Sequence, residues 1–125
     1  MKQKTLLVID DNEDMLFLFK DYFEGHGFNV ITSNKGEEAI KSYTNHPTDF
    51  VLTDIIMPEK DGLEVILELK TIFPDARIMA MTGDSDENAK LSFQDAAELF
   101  GACATFTKPC SPHRVLEAIQ KFQKD

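Results

Sequence analysis

The sequence has few cysteines, few basic residues and no long apolar run. Its 125 residues include 2 cysteines, and 13 Lys and Arg stand against 22 Asp and Glu, which gives a formal net charge of −9. No apolar stretch approaches the roughly 20 residues that cross a bilayer, and the N-terminus lacks the apolar core and cleavage site of a secretory signal. The acidic balance disfavours direct binding to nucleic acid or to an anionic membrane. We therefore expect a cytoplasmic protein of one domain.

Common motifs for nucleotides and zinc are also missing. The sequence contains no glycine-rich phosphate loop, no Rossmann glycine pattern and no paired-histidine helix motif. Cys103 and Cys110 match neither a metal-binding nor a redox spacing, and they flank a predicted buried strand, which disfavours a local disulfide. We expect both thiols to be reduced, and we expect His26, His46 and His113, which lie far apart in the sequence, to be exposed.

Short apolar runs and helical spacings alternate along the whole chain. The runs predict strands at 5–9, 28–32, 50–53, 77–81 and 104–107. The helical spacings predict helices at 13–25, 35–43, 63–73, 88–100 and 112–123, the last with Ser111 as its N-cap. Leu18, Leu67 and Leu99 are among the residues that the spacing assigns to buried helix faces. Five β–α units predict an α/β domain with a parallel sheet and helices on both of its faces.

Acidic residues follow two of the predicted strands. Asp10 and Asp11 follow the first strand, and Asp54 follows the third. The carboxyl ends of parallel strands lie at the same edge of a sheet, so we expect these carboxylates to meet there. This is also the edge where open sheets of this kind bind ligands. Clustered carboxylates repel each other, and their hard oxygens are the ligands that Mg²⁺ prefers. For Asp11 the alternative is that it caps the first helix.

A lysine and a threonine follow two further strands. Lys108 ends the fifth strand and can hold a phosphate as a point charge, although most lysines are simply exposed surface residues. Thr82 ends the fourth strand, and its hydroxyl can donate to a phosphoryl oxygen, although it can also serve as a turn residue before Gly83. A cation beside a nucleophilic carboxylate indicates phosphate chemistry.

Together, these strand ends resemble the receiver domain of two-component response regulators. The matching motifs are Val8-Ile9-Asp10-Asp11, Asp54-Ile55-Ile56-Met57-Pro58, Asp61-Gly62, Met81-Thr82-Gly83 and Thr107-Lys108-Pro109. The resemblance covers essentially the whole chain. It implies a flavodoxin-like, doubly wound sheet of five parallel strands in the order 2-1-3-4-5. It also implies that residues 1–125 form one receiver domain without an output domain.

The resemblance implies a role for each acid. Asp54 would be the phosphoacceptor, taking a phosphoryl group from a phosphohistidine on a histidine kinase or a histidine phosphotransfer protein. Asp11, Asp54 and the backbone carbonyl of Ile56 would ligate Mg²⁺, for which Mn²⁺ can substitute. Asp10 would bind the ion through water.

The resemblance also implies how the phosphoryl group is held and released. Lys108 and Thr82 would bind its oxygens, and the Lys108–Pro109 peptide bond would be cis. Ile56 and Asp84 occupy the two positions that tune dephosphorylation in the family. Ile56 offers no hydrogen bond to a water and Asp84 can orient one, so an intermediate phosphate lifetime is expected.

Two features depart from the family pattern. Thr105 stands where the family usually has the aromatic ring that moves together with the threonine, here Thr82, and strand alternation places Phe106 on the opposite face of the sheet. In addition, 26 positions separate Thr82 from Lys108, a few more than is usual. We expect this length to add about one turn of helix within 86–100, on the usual output face.

The expected function is that of a signalling module and not of a multiple-turnover enzyme. Phosphorylation of Asp54 would be Mg²⁺-dependent, self-dephosphorylation would be slow, and a downstream protein that the sequence does not identify would read the change. One alternative is a receiver-like adaptor that is not phosphorylated, which Thr105 favours slightly. Another is an Mg²⁺-dependent phosphatase with an aspartyl-phosphate intermediate. Ile56 disfavours it, because such phosphatases carry a second aspartate at that position.

Overall fold

Strands and helices alternate from one end of the structure to the other, as predicted. The computed structural model describes residues 3–83 and 92–123. The strands are β1 Thr5–Ile9, β2 Asn29–Ser33, β3 Phe50–Asp54, β4 Ile78–Thr82 and β5 Ala104–Thr107. The helices are α1 Glu13–Glu24, α2 Gly36–Asn45, α3 Gly62–Ile72, α4 Phe93–Phe100 and α5 Pro112–Gln123. Within these described ranges, no helix is both long enough and apolar enough to cross a bilayer.

The strands form one parallel sheet in the order β2-β1-β3-β4-β5, which confirms the predicted topology. The chain runs from β1 to β2 on one side and then crosses to β3 on the other side of β1. The register pairs Ile9 with Thr53, and β3 pairs Asp54 with Met81 on β4. The point where the strand order reverses therefore lies between the carboxyl ends of β1 and β3, which is where this type of sheet binds ligands.

Two apolar layers cover the two faces of the sheet. Leu6, Val8 and Phe50 face a cluster that α1 and α5 complete, with Phe19 and Phe23 fully buried. The opposite face packs against α2, α3 and α4. The three central strands are almost entirely buried, which explains their unbroken apolar runs. This packing holds the strand ends, and the side chains on them, in fixed positions.

The predictions of buried residues fail at the edges of this core. Leu18, Leu67 and Leu99 are exposed, the last to 73%. In α3, for example, the buried stripe runs through Val65, Ile66 and Leu69, which leaves Leu67 on the solvent side. The fifth strand is also not buried: β5 lies at the edge of the sheet, and its residues are half-exposed or exposed. Apolar composition alone did not reveal which side of each helix faces the sheet.

The fourth helix is shorter than predicted. The described helix begins at Phe93, because Ser92 is its N-cap and the Ser92 hydroxyl accepts a hydrogen bond of 3.0 Å from the Asp95 amide. Ser92 has extended backbone angles, so a continuous helix over 88–100 is wrong. The additional turn that we expected within 86–100 is not found in the eight residues of α4. The part of this prediction that falls on 86–91 lies outside the described residues.

A glycine makes the close contact between β3 and α3 possible. The Gly62 amide donates to the Ile55 carbonyl at 2.7 Å. A Cβ atom at Gly62 would lie 2.2 Å from the backbone oxygen of Asp54 and 2.7 Å from the Cα of Ile55. The first turn of α3 thus packs directly against the backbone at the end of β3.

We predict that Gly62→Ala lowers the free energy of unfolding by about 1–3 kcal/mol, because the added methyl must displace the end of β3. Urea unfolding followed by far-UV circular dichroism would show a lower midpoint with an unchanged slope. Gly83→Ala is the matched control, since a Cβ there meets nothing within 4 Å. Equal midpoints for the two variants would contradict the close contact.

Candidate functional site

The three predicted acids meet at the carboxyl edge of the sheet. Asp10 directly follows β1, Asp54 is the last residue of β3, and Asp11 follows Asp10. One oxygen from each carboxylate lies within 4.8 Å of those of the other two. Asp10 and Asp54 are buried, and Asp11 is exposed. The group thus opens to solvent on the Asp11 side.

Asp10 is fully buried, and one of its oxygens is unsatisfied. Its Oδ1 accepts a hydrogen bond of 3.0 Å from the Asn12 amide. Its Oδ2 has no hydrogen-bond partner among the described residues, although the Lys108 ammonium lies 3.5 Å away. Burial raises the pKa of Asp10, and the nearby Asp54 carboxylate raises it further. A buried acceptor that has an ammonium nearby but no hydrogen-bond partner fits a site for a cation or for its bound water.

Lys108 is directed into the carboxylate cluster. Its Nζ lies 3.2 Å from Asp54 Oδ2, and its side chain is 29% exposed. The Lys108 amide donates to the Thr82 carbonyl at 2.7 Å, and the Lys108–Pro109 peptide bond is cis, as expected. Burial works to lower the pKa of Lys108, but the charges of Asp10 and Asp54 outweigh it and the pKa is raised. The alternative of an ordinary surface lysine is therefore wrong.

Asp54 lies between its strand and this lysine. It is 5% exposed, and desolvation raises its pKa, while the Lys108 ammonium lowers it in part. A carboxylate that is buried beside a single ammonium is held at a fixed position and is poorly hydrated. Both properties favour a nucleophile that must meet an incoming group along a defined line.

The capping alternative for Asp11 is also wrong. Asn12 is the N-cap of α1, and its side-chain oxygen accepts hydrogen bonds from the amides of Asp14 and Met15. Sequence reasoning missed Asn12, although asparagine directly before an acidic first turn is a strong N-cap signal. Because Asn12 caps the helix, the carboxylate of Asp11 remains available to a ligand.

The remaining predicted site residues lie around the cluster. Thr82 is buried at the end of β4, where it pairs with Thr107. Ile56 is 54% exposed and lies two residues after the end of β3. Thr105 is half-buried and pairs with Ala80. Asp84 lies outside the described residues.

The neighbouring aromatic, cysteine and histidine predictions are confirmed. Phe106 packs against the apolar cluster between the sheet and helices α1 and α5, as strand alternation predicted. Both cysteines are free, Cys103 exposed and Cys110 buried. The three histidines are exposed.

A cleft of about 600 Å³ opens beside the lysine. It lies between the start of α1 and the segment that joins β5 to α5, and it is lined by Asn12, Met15, Leu18, Gly83, Lys108, Pro109 and Cys110. Most of this lining is apolar. The cleft gives a bulky group access to the carboxylate edge from one side.

Comparison with known families identifies the arrangement. The model of the response regulator receiver domain matches residues 6–120. The chain belongs to this family. Receiver domains are signalling modules of two-component systems rather than classical enzymes, and they bind Mg²⁺ at an acidic pocket. They interact with histidine kinases or phosphotransfer proteins and with downstream targets.

Related proteins include both short and long chains. The receiver domain is 35% identical to the chemotaxis protein CheY of Bacillus subtilis, over 93% of this chain and 94% of that protein. It is 32% identical to CheY of Thermotoga maritima, with 97% and 98% covered. It is also 36% identical to the alkaline phosphatase synthesis transcriptional regulatory protein PhoP of B. subtilis, over 90% of this chain but only 45% of PhoP.

Solved structures agree with the fold. A receiver domain protein from Clostridium thermocellum matches with a TM-score of 0.85 at 28% identity, covering 94% of this chain and 92% of that one. A chain of the CheX-CheY-BeF₃-Mg²⁺ complex from Borrelia burgdorferi matches with a TM-score of 0.84 at 27% identity, covering 95% of this chain and 88% of that one.

The raised carboxyl pKa values predict how stability depends on pH in metal-free protein. The folded protein binds protons at Asp10 and Asp54 more readily than the unfolded chain does. The contribution of these two carboxyl groups to stability is therefore greatest below their ordinary pKa of 3.8, and it is lost as the pH rises through the raised values. Thermal unfolding in EDTA, from below pH 3.8 to above the raised pKa values, measures this change in stability.

Asp10→Asn should remove the part of this loss of stability that comes from ionising the buried Asp10 carboxyl group. At pH 7 we expect the metal-free variant to be more stable than the wild type by about 1 kcal/mol, and near pH 3.5 the difference should vanish. Mg²⁺ should then stabilise the wild type more than the variant. A variant that is less stable at pH 7 would show that Asp10 is satisfied as a carboxylate.

Proposed function

We propose that this receiver domain accepts a phosphoryl group on Asp54 from a phosphohistidine of a histidine kinase or a phosphotransfer protein. One observation carries the proposal: the buried Asp54 carboxylate lies 3.2 Å from the Lys108 ammonium and within 4.8 Å of the Asp10 and Asp11 carboxylates. The family relationship and the apolar cleft beside Lys108 support it.

In the transfer step, a carboxylate oxygen of Asp54 attacks the phosphorus. The bond from phosphorus to the imidazole nitrogen of the donor breaks, and its electron pair stays on that nitrogen, which takes up a proton. The product is an aspartyl phosphate. Such transfer needs in-line positioning and neutralisation of charge rather than covalent assistance. Asp54, which is fixed by the end of β3, meets the first requirement.

Lys108 and Thr82 supply donors to the phosphoryl oxygens. Lys108 is held near Asp54 by its ion pair, and its backbone is tied to Thr82 through the 2.7 Å hydrogen bond. As negative charge moves from the carboxylate to the phosphoryl oxygens, the ammonium can follow it over a short distance. The Thr82 hydroxyl, on the adjacent strand end, donates to another oxygen.

The carboxylates fit a divalent cation. Asp11, Asp54 and the backbone carbonyl of Ile56 would hold Mg²⁺ or Mn²⁺, with Asp10 bound through water. The unsatisfied Asp10 Oδ2 and the purely oxygen donor set support this assignment. When bound, the ion supplies positive charge beside the phosphoryl oxygens. The three acids carry more negative charge than Lys108 alone can balance.

The phosphate acts as a signal through the strand ends. It adds a charge of about −1.5 to −2 next to Thr82 and Lys108. Thr82 would move toward it, and Thr105, half-buried on the neighbouring strand, would adjust without a large ring. A downstream protein would read the changed surface. The two free thiols agree with a cytoplasmic location.

Incubation with acetyl phosphate and Mg²⁺ should add one labile phosphate, and Asp54→Asn should abolish it. Intact-mass spectrometry measures the adduct. Asp75→Asn is the control, because that aspartate is exposed at the opposite edge of the sheet, before β4, and should label like the wild type.

Other outcomes would favour other functions. A labelled Asp54→Asn variant would contradict the proposed acceptor. Mg²⁺ binding without phosphorylation by any donor would favour the adaptor. Repeated turnover of a small phosphomonoester would favour the phosphatase.

Ile56 is proposed to slow dephosphorylation, because its half-exposed apolar side chain offers no hydrogen bond to an attacking water. Ile56→Asn should shorten the phosphate lifetime by up to about tenfold, the effect of ~1.4 kcal/mol on the barrier. Loss of the mass adduct with time after removal of the donor measures it. Leu67→Asn is the control, because Leu67 is a similarly exposed apolar residue on α3. A lifetime unchanged by Ile56→Asn would exclude this role.

A further inference from the structure

Lys60 lies in the loop that joins β3 to α3. Its side chain connects this loop to both α2 and α3. Its Nζ is 3.0 Å from Glu37 Oε2 on α2 and 2.9 Å from Glu68 Oε1 on α3. Its side chain is only 22% exposed. Both helices therefore hold the lysine at its charged end.

The backbone of Lys60 is held as well. A Cβ atom at Gly36, the first residue of α2, would lie 2.9 Å from the Lys60 carbonyl oxygen and 2.8 Å from a methyl of Val65. The start of α2 is therefore in close contact with this loop, and glycine is the residue that permits the contact. The start of α2 thus packs closely against the Lys60 carbonyl, and the two ion pairs hold its ammonium group.

The same loop contains a backbone conformation that costs energy. Glu59 has φ = 66°, in the left-handed region that non-glycine residues rarely adopt. Such a residue persists where its surroundings hold it. The Lys60 ion pairs act on the next residue and oppose relaxation of Glu59 to an extended conformation.

We propose that Lys60 is a positioning residue that holds the 56–60 loop in the shape that binds Mg²⁺. This inference rests on the proposed function, in which the Ile56 carbonyl at the start of the loop is a metal ligand. Within residues 3–83 and 92–123, Lys60 is the one residue of the 56–60 loop that forms an ion pair. Its charge-stabilised contacts also raise the pKa of Lys60 and lower that of Glu37.

The sign of the effect separates positioning from simple electrostatics. A lysine near a cation site repels the cation, so removing its charge alone should strengthen Mg²⁺ binding. Loss of a positioning contact should weaken it. In Lys60→Met the Glu37 and Glu68 carboxylates would also lose the cation that they share, which adds repulsion between α2 and α3.

We expect Lys60→Met to weaken Mg²⁺ affinity by about two- to fivefold, the range that partly exposed ion pairs contribute. Isothermal titration with MgCl₂ on unphosphorylated protein measures it. Lys60→Arg should restore affinity, because its planar fork can reach both carboxylates. Lys35→Met is the matched control: it removes a lysine from the small cavity that Asp11 lines, and it should leave affinity unchanged or stronger. Lys60→Gln provides a second variant.

Hydrogen exchange in metal-free protein provides an independent measurement. The amides of Ile56, Met57, Glu59 and Lys60 should exchange faster in Lys60→Met than in the wild type, while those of β1 should not change. Unchanged exchange, or Mg²⁺ affinity that is unchanged or stronger in Lys60→Met, would overturn the inference. Absence of Mg²⁺ binding by the wild type would instead refute the proposed metal site, and the exchange measurement would still test Lys60.

Discussion

The ion pair between Lys108 and the two buried acids is the interaction on which the site depends. Asp10 and Asp54 lose hydration at the end of the sheet, and the ammonium 3.2–3.5 Å away partly compensates them. A buried carboxylate without a counter-charge is costly. One lysine does not balance three acids, so the receiver domain folds with a site that attracts further positive charge. The proposed affinity for a cation would thus follow from the burial of carboxylates at the ends of the strands.

The parallel sheet creates this cluster from residues that are distant in sequence. Asp10 and Asp54 come together because β1 and β3 are neighbours with aligned ends, and Lys108 arrives two strands further along. The Lys108 amide donates a hydrogen bond to the Thr82 carbonyl, so the end of β4 fixes the position of the Lys108 backbone. The buried strands are rigid because both of their faces are packed. Precise chemistry at the edge therefore depends on apolar residues that never touch a ligand.

The sequence predicted the parts of this structure that follow from strict periodicity. Buried parallel strands require short, unbroken apolar runs, so their position and their polar ends could be predicted, and so could the meeting of Asp10, Asp11 and Asp54. Helix faces were less certain, because Leu18 and Leu99 satisfy a helical spacing without facing the sheet. The Lys60 contacts were not readable, since they depend on how α2 and α3 approach each other in three dimensions. The start of α4 was misplaced because Ser92 was not recognised as an N-cap.

A change of charge at Asp54 should act most strongly where the fold is held most weakly. The central strands are locked between two apolar layers, but β5 is a half-exposed edge strand. Beside it, α4 buries only the small side chains of Ala96 and Ala97 and leaves Leu99 exposed. Elements with little buried apolar surface reorganise at the lowest cost in free energy. Lys108 directly follows β5, so the residue that we propose to bind the phosphoryl group is attached to the part of the sheet that is easiest to move.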